Sequence, residues 1–331
     1  MTCARKGLAM SGAQRARLAD GRWHFQHGPI DCILGADGDP AAIAPAVERA
    51  WSRFGGILAE LVDELPLLRT DLASAEGAAV RPRGPIARRM VAACRAHATN
   101  GRFITAMAAV AGSVAEELIG AFDDPRIARA YVNNGGDIAL HLAPAAAFDI
   151  GWIVDPNDRT AALDGSFRIT AASGVRGIAT SGWRGRSFSL GIADSVTVLA
   201  ATAAAADAAA TVIANAVDAD DPRIRRAPAN SLRDDSDLGD RLVTCGVGTL
   251  SNEVIARALA AGVAVAEAEI EAGRAVAAAL SLQGQVRTCS GERAIDAPMS
   301  CATLDAVRRR ADALSPGAWR PHAAALSSPR I

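Results

Sequence analysis

Residues 196–217, VTVLAATAAAADAAATVIANAV, carry one charge, Asp207, in a run dominated by alanine. No other stretch constrains the fold as strongly. A segment this apolar either crosses a membrane or lies in a core. Alanine contributes little to membrane insertion and a central aspartate opposes it, so the run reads as a buried strand followed by a buried helix over 202–217. A helix made mostly of alanine lets other segments pack close to its axis. An aspartate buried on it needs a donor network or a cation. Thr211 lies four residues after Asp207, on the same helical face. A carboxylate and a hydroxyl are hard oxygen ligands of the kind Mg²⁺ or Ca²⁺ takes. The alternative is an aspartate satisfied by an arginine or by backbone amides.

The rest of the chain supplies partners for this pair of elements. Residues 22–36 read as two short strands around His27-Gly28-Pro29. Asp39-Pro40 starts a helix toward Leu68, since Asp caps well and Pro suits the first helical position, with a break at Gly55-Gly56. Residues 69–83 read as loop, and 85–97 and 105–122 as helices. Short strands follow near 147–154, 166–171, 176–180 and 187–200. Residues 218–240 form a charged surface excursion. RLVTC is a strand, residues 252–280 a long helix, and LQGQVRTC a last strand. Strands and helices come in mixed runs without regular βαβ alternation, which indicates an α+β fold. The expected organisation is a flexible N-terminus over 1–20, one domain over 21–290 and a loosely ordered tail over 291–331.

Two loops and one helix start carry further signals. In AYVNNGGDIALHLAP, Gly135 and Gly136 interrupt strand-like sequence. They form a tight hairpin turn, or they bare the main chain for a planar or phosphate-bearing ligand. In GIATSGWRGRSFSLGIAD, two hydroxyls, Gly182, Arg184 and Arg186 lie close together, a composition suited to phosphate oxygens or to an ordinary polar loop. Gly246 and Gly248 precede a helix, but Ser251 can cap it and Glu253 would repel an anion there.

Charge and cysteine usage exclude several classes. With 35 basic and 36 acidic residues the net charge is -1. That argues against nucleic-acid or anionic-membrane partners. Lys6 is the only lysine, so a catalytic lysine in the body of the fold is excluded. The 6 cysteines are dispersed without a C-x-x-C pair, and no H-E-x-x-H occurs. Dispersed thiols and a polar N-terminus lead us to expect a cytoplasmic protein.

The order of the signals is more specific than any one of them. Asn133 with Gly135-Gly136-Asp137, then Ala-Thr-Ser-Gly ending in Thr180, Ser181 and Gly182, then a helix with Asp207 and Thr211, resembles the ApbE-like superfamily of FAD:protein FMN transferases. The longer phrases around these motifs are closer to an uncharacterised family within it. The likeness to that branch covers roughly residues 20–290, and to the transferases proper about 105–217. It implies an α+β, ApbE-like fold of two fused T-fold-like repeats forming one domain. It also implies FAD in a cleft and Mg²⁺ beside its pyrophosphate. Asp207, Thr211 and the Ala109 carbonyl would hold the metal. Asn133, Gly135, Gly136, Asp137, Thr180, Ser181, Gly182 and Arg184 would line the dinucleotide.

Two departures stand out. Gly112 replaces the lysine of the transferase A-I-A-K-G segment. The transferase H-x-x-DP-x-TG stretch is absent, leaving Arg184, Arg186 and Asp194 as the polar groups that could substitute. The resemblance implies a Mg²⁺-dependent flavin- or nucleotide-binding enzyme acting by flavin or phosphoryl transfer or by pyrophosphate cleavage, with a small-molecule flavin or nucleotide as partner and an unidentified acceptor protein. The alternatives are a non-catalytic flavin-binding protein and a small-molecule catabolic enzyme using the same cleft. No residue is assigned as nucleophile or general base.

Overall fold

Asp39 accepts the Ala41 N–H at 2.9 Å and Pro40 takes the first helical position, so the first long helix starts where the sequence says it should. The computed structural model describes residues 12–99, 101–152 and 165–291. The first half runs β1 (Gln14–Arg17), β2 (Trp23–His27), β3 (Ile30–Gly38), α1 (Pro40–Asp63), α2 (Leu65–Leu68), α3 (Ala75–Ala79) and α4 (Pro85–Arg95). A 3₁₀ turn (Ala106–Ala109) then leads into α5 (Val110–Ile119), β4 (Ile127–Asn134) and β5 (Asp137–Leu142). After β6 (Ala147–Trp152) and β7 (Gly165–Thr170) come β8 (Gly177–Ser181), β9 (Ser195–Ala200) and α6 (Ala203–Ala216). The chain continues through β10 (Ile224–Pro228), α7 (Ala229–Leu232), β11 (Leu242–Val247), α8 (Asn252–Glu271), β12 (Ala277–Leu282) and β13 (Gln285–Ser290).

The chain divides into two units, the larger within residues 1–147 and 170–294. Its frame is a 9-stranded antiparallel sheet of order β1-β2-β3-β4-β5-β8-β9-β12-β13. The order repeats one plan: a hairpin, helices, then a second hairpin, first as β2-β3/β4-β5 and again as β8-β9/β12-β13. An α+β fold of two fused repeats is therefore what forms. The described part of the smaller unit is the two-stranded β6–β7 sheet, where Arg168 pairs with Asp149 at 3.1 Å.

Each repeat buries its own core on the helical face of the sheet. Phe25, Leu34, Phe54, Leu118 and Val132 lie in the first cluster. Val198, Ile213, Leu259 and Leu280 lie in the second. At ~1.5–3 kcal/mol for each fully buried large apolar side chain, these clusters supply the main folding drive. The alanines of α6 explain its central place: a Cβ at Gly177 of β8 would stand 2.1 Å from Thr202 O, and one at Gly191 2.1 Å from Ala214 O. Backbone touches backbone there, which only small residues permit.

Several expectations are corrected. The glycines Gly55 and Gly56 do not break α1, which is continuous to Asp63. The stretch expected to be loop over 69–83 contains α3, capped by Ser74. The helix expected over 252–280 ends at Glu271, and residues 277–282 form β12, wholly buried between β9 and β13. Strand β9 begins at Ser195 rather than near 187. The 218–240 excursion contains β10 and α7, and Thr105 donates to Asp237 at 2.5 Å, tying it to the body. Strand β1 falls inside the stretch expected to be flexible, and the expected 291–331 tail lies almost wholly outside the described residues.

Candidate functional site

The Gly135-Gly136 pair is a turn. Asn134 pairs with Asp137 across a two-residue hairpin, and the glycines sit at φ +66 and +114. Such a turn needs left-handed backbone at both positions, which glycine adopts without steric cost. Gly136 N–H donates to Asn133 Oδ1 at 2.8 Å. A Cβ at Gly136 would meet nothing within 4 Å, so the turn also leaves bare main chain facing open space. The two readings of the pair are compatible.

The residues flanking the turn reach into the helical layer. Buried Asn134 accepts the Asp31 N–H at 3.3 Å and donates to Ala111 O at 3.1 Å, fastening the hairpin to the start of α5. Buried Asp137 accepts the Thr180 N–H at 3.2 Å. Its carboxyl is pushed up to about 7 by burial, which that amide only partly offsets.

Asp207 approaches from the other side. Thr202 caps α6 through the Ala205 N–H at 3.2 Å, which sets the helix so that Asp207 faces α5. Asp207 Oδ2 accepts the Gly112 N–H at 2.9 Å. Burial and the charge of Asp137 push its carboxyl well above the usual range, while the Gly112 and Ala111 amides pull the other way. Among the described residues no arginine, lysine or histidine pairs with either carboxylate. Two neighbouring carboxylates with amides but no cationic side chain are short of positive charge.

Gly112 now has a physical reason. A Cβ there would stand 2.3 Å from Ala203 O and 2.9 Å from Asp207 Cβ. The crossing of α5 over α6 excludes every side chain, including the lysine of the transferase motif.

The structure brings some expected residues together and separates others. Ala109 is buried where the 3₁₀ turn meets α5, and α6, with part-buried Thr211, packs against that turn. Exposed Thr180 lies with its Oγ1 2.9 Å from Thr197 Oγ1, while its amide serves Asp137. Gly182 is required by the Asp194 carbonyl, 2.4 Å from where its Cβ would stand. Ser181 is part-buried at the end of β8. Arg184 bonds Asp194 Oδ1 at 2.9 Å and lies over the Trp183 ring at 5.2 Å. The Asp137–Asp207 encounter and the Asn134 tether are not marked in the sequence; the alternation that points Asp137 and Asn134 to the helical face was the available signal.

Buried carboxylate oxygens with a local excess of negative charge are donors of the kind a hard divalent cation takes. Among the described residues no three His, Cys, Asp or Glu side chains form a metal-holding group, so neutral oxygens must complete any shell. An open groove of about 580 Å³ lies elsewhere, between Arg53, Glu60, Glu64 and Gly84. There Arg53 bonds Glu60, and Glu64 accepts the Arg83 and Gly84 amides. No helix among the described residues is long and apolar enough to cross a membrane.

A family model described as AbpE bacteria matches residues 15–288. A UPF0280 protein of Methanopyrus kandleri is 37% identical over 130 residues, 39% of this chain and 50% of that protein. One from Methanococcoides burtonii is 32% identical over 142 residues, 40% of this chain and 52% of the relative. The chain thus spans about half the length of the curated relatives it matches. Among solved structures, the ApbE protein of Thermotoga maritima aligns at 15% identity and TM-score 0.38, covering 85% of this chain and 96% of that one. The flavinyl transferase ApbE of Pseudomonas stutzeri aligns at 11% identity and TM-score 0.35, covering 85% and 94%.

Proposed function

Because the chain belongs to the AbpE bacteria family, an ApbE-like group with flavin-related function, we propose that it binds FAD or a related nucleotide through its phosphates together with Mg²⁺. The observation that carries this reading is the buried Asp137–Asp207 pair, in which the charge of Asp137 raises the proton affinity of Asp207 and which, among the described residues, has no cationic side chain. Asp207, Thr211 and the Ala109 carbonyl would hold the ion. Bound there, Mg²⁺ would neutralise pyrophosphate charge and favour attack at phosphorus. The chain's own residues do the positioning. The Gly112 amide fixes one oxygen of Asp207, Asn134 fixes the hairpin against α5, and the glycine turn leaves room for the ligand.

The 183–194 loop favours a second reading, binding without transfer. It stands in place of the transferase H-x-x-DP-x-TG stretch and holds no histidine. Arg184 and Asp194 bond each other, and Gln283 N–H donates to Asp194 Oδ2. Those groups are engaged within the fold rather than offered to an acceptor. Free thiols at Cys32, Cys94, Cys245 and Cys289 support a cytoplasmic setting for either reading.

Calorimetric titration with FAD, ADP and FMN, each with and without Mg²⁺, combined with product analysis, separates these readings. Binding with turnover supports transfer or cleavage, and tight binding without turnover supports a carrier. Absence of flavin and nucleotide affinity in both conditions rejects the proposal.

A further inference from the structure

The loop that keeps Arg184 occupied sends Arg186 elsewhere. Arg186 reaches from the 182–191 segment to the β2–β3 turn, where Nη2 donates to Pro29 O at 3.3 Å. Its Nη1 lies 3.4 Å from where a Cβ on Gly135 would stand, so the guanidinium rests against the β4–β5 turn as well. Among the described residues no carboxylate pairs with it, whereas Arg184 is neutralised by Asp194. The main chain beneath it is bare: Gly135 and Gly136 carry no side chain, and space beside Gly136 is open to 4 Å.

An arginine has five donors on a rigid plane. The Pro29 carbonyl takes one bond and fixes the direction of the group. The remaining donors are exposed over glycines, where a tetrahedral oxyanion can approach without meeting a side chain. Planar forked donors match phosphate oxygens two at a time. Asn134, next to Gly135, is tied to Ala111, and the following residue's amide binds Asp207. The turn therefore has a guanidinium against Gly135 and a buried carboxylate, Asp137, directly after Gly136.

We propose that Arg186 is an anion-binding side chain of this site, taking phosphate oxygens of a nucleotide independently of any metal ion. This rests on the reading above that the ligand is a phosphate-bearing nucleotide. It also replaces Arg184, the arginine favoured by the sequence, with a different residue.

The probe is inorganic pyrophosphate, titrated by calorimetry into the full chain in EDTA. Wild type should bind it. Arg186→Gln should weaken binding by about tenfold or more, the loss of a charged hydrogen-bonding group. Arg186→Lys should fall between them, because charge returns without the fork. Melting curves establish that each variant is folded. Wild-type protein that ignores pyrophosphate in EDTA, or a folded Arg186→Gln that binds it unchanged, overturns the assignment. A separate Mg²⁺ titration of wild type reports on the cation site: no Mg²⁺ binding beside Arg186-dependent pyrophosphate binding would reject the cation and leave the arginine in place.

Discussion

Replacing Asp137 with asparagine should stabilise the metal-free protein at pH 8. The side chain keeps its shape and still offers an oxygen to the Thr180 N–H, which Asp137 accepts at 3.2 Å. What disappears is a negative charge held in a buried position beside Asp207. The carboxyl is raised from 3.8 to about 7, mainly by burial. A raised acid favours the fold in its protonated form, so that stability is complete below about pH 4 and is lost as pH climbs through about 7. At ~1.4 kcal/mol per pH unit the ceiling is ~4 kcal/mol. Part of this is shared with Asp207, so a gain of ~1–3 kcal/mol is expected. For a chain of this size that corresponds to roughly 2–6 °C in melting temperature. Thermal melts in EDTA from pH 4.5 to 8.5 read it directly. Wild type should lose stability across the range, and Asp137→Asn should lose less, with the curves converging near pH 4.5. A variant equally destabilised at both ends would refute the reasoning, because the ionised carboxylate would then be stabilising the fold.

Three further perturbations probe the frame around the site. Gly112→Ala places a Cβ 2.3 Å from Ala203 O and should cost ~1–3 kcal/mol in urea unfolding as α5 is pushed from α6. Gly136→Ala meets no neighbour but sits at φ +114, so it should cost about 1–2 kcal/mol from backbone strain alone. Glu269 lies beside His97 at 3.3 Å and Arg274 at 2.5 Å; burial raises its carboxyl, but these partners outweigh burial and hold it at about 2. Glu269→Gln should destabilise by ~1–3 kcal/mol at pH 7. The difference should shrink as acid titrates the wild-type carboxylate through pH 4 toward 2, followed by chemical denaturation.

Much of this fold is written locally. Asp39-Pro40 and Thr202 mark helix starts through their own hydrogen bonds, and the structure places α1 and α6 there. Residues 277–282 illustrate the opposite case. AAALSL has helical propensity, yet it is a central strand because β9 and β13 supply its hydrogen bonds. Gly273 at φ +70 was the readable stop before it. Strand β1 has no apolar pattern, since it is an exposed edge whose Arg15 and Arg17 lie over the Trp23 ring.

The site divides in the same way. Asp207 was visible as the one charge in an apolar run. Asp137 was marked only as lining the dinucleotide; its meeting with Asp207 was not readable, because it depends on β5 lying next to β8 beneath α6, which is a matter of strand order. Gly112 reads in sequence as a missing lysine and in three dimensions as a helix crossing.

The most direct test is calorimetric titration of Mg²⁺, alone and with FAD, into wild type and Asp207→Asn at pH 8. Asparagine keeps the acceptor for the Gly112 N–H, so the variant should fold. Wild type is expected to bind Mg²⁺ and to bind FAD more tightly in its presence, and the variant to lose both effects. A folded variant that binds Mg²⁺ as wild type does would contradict the assignment of this carboxylate to a cation.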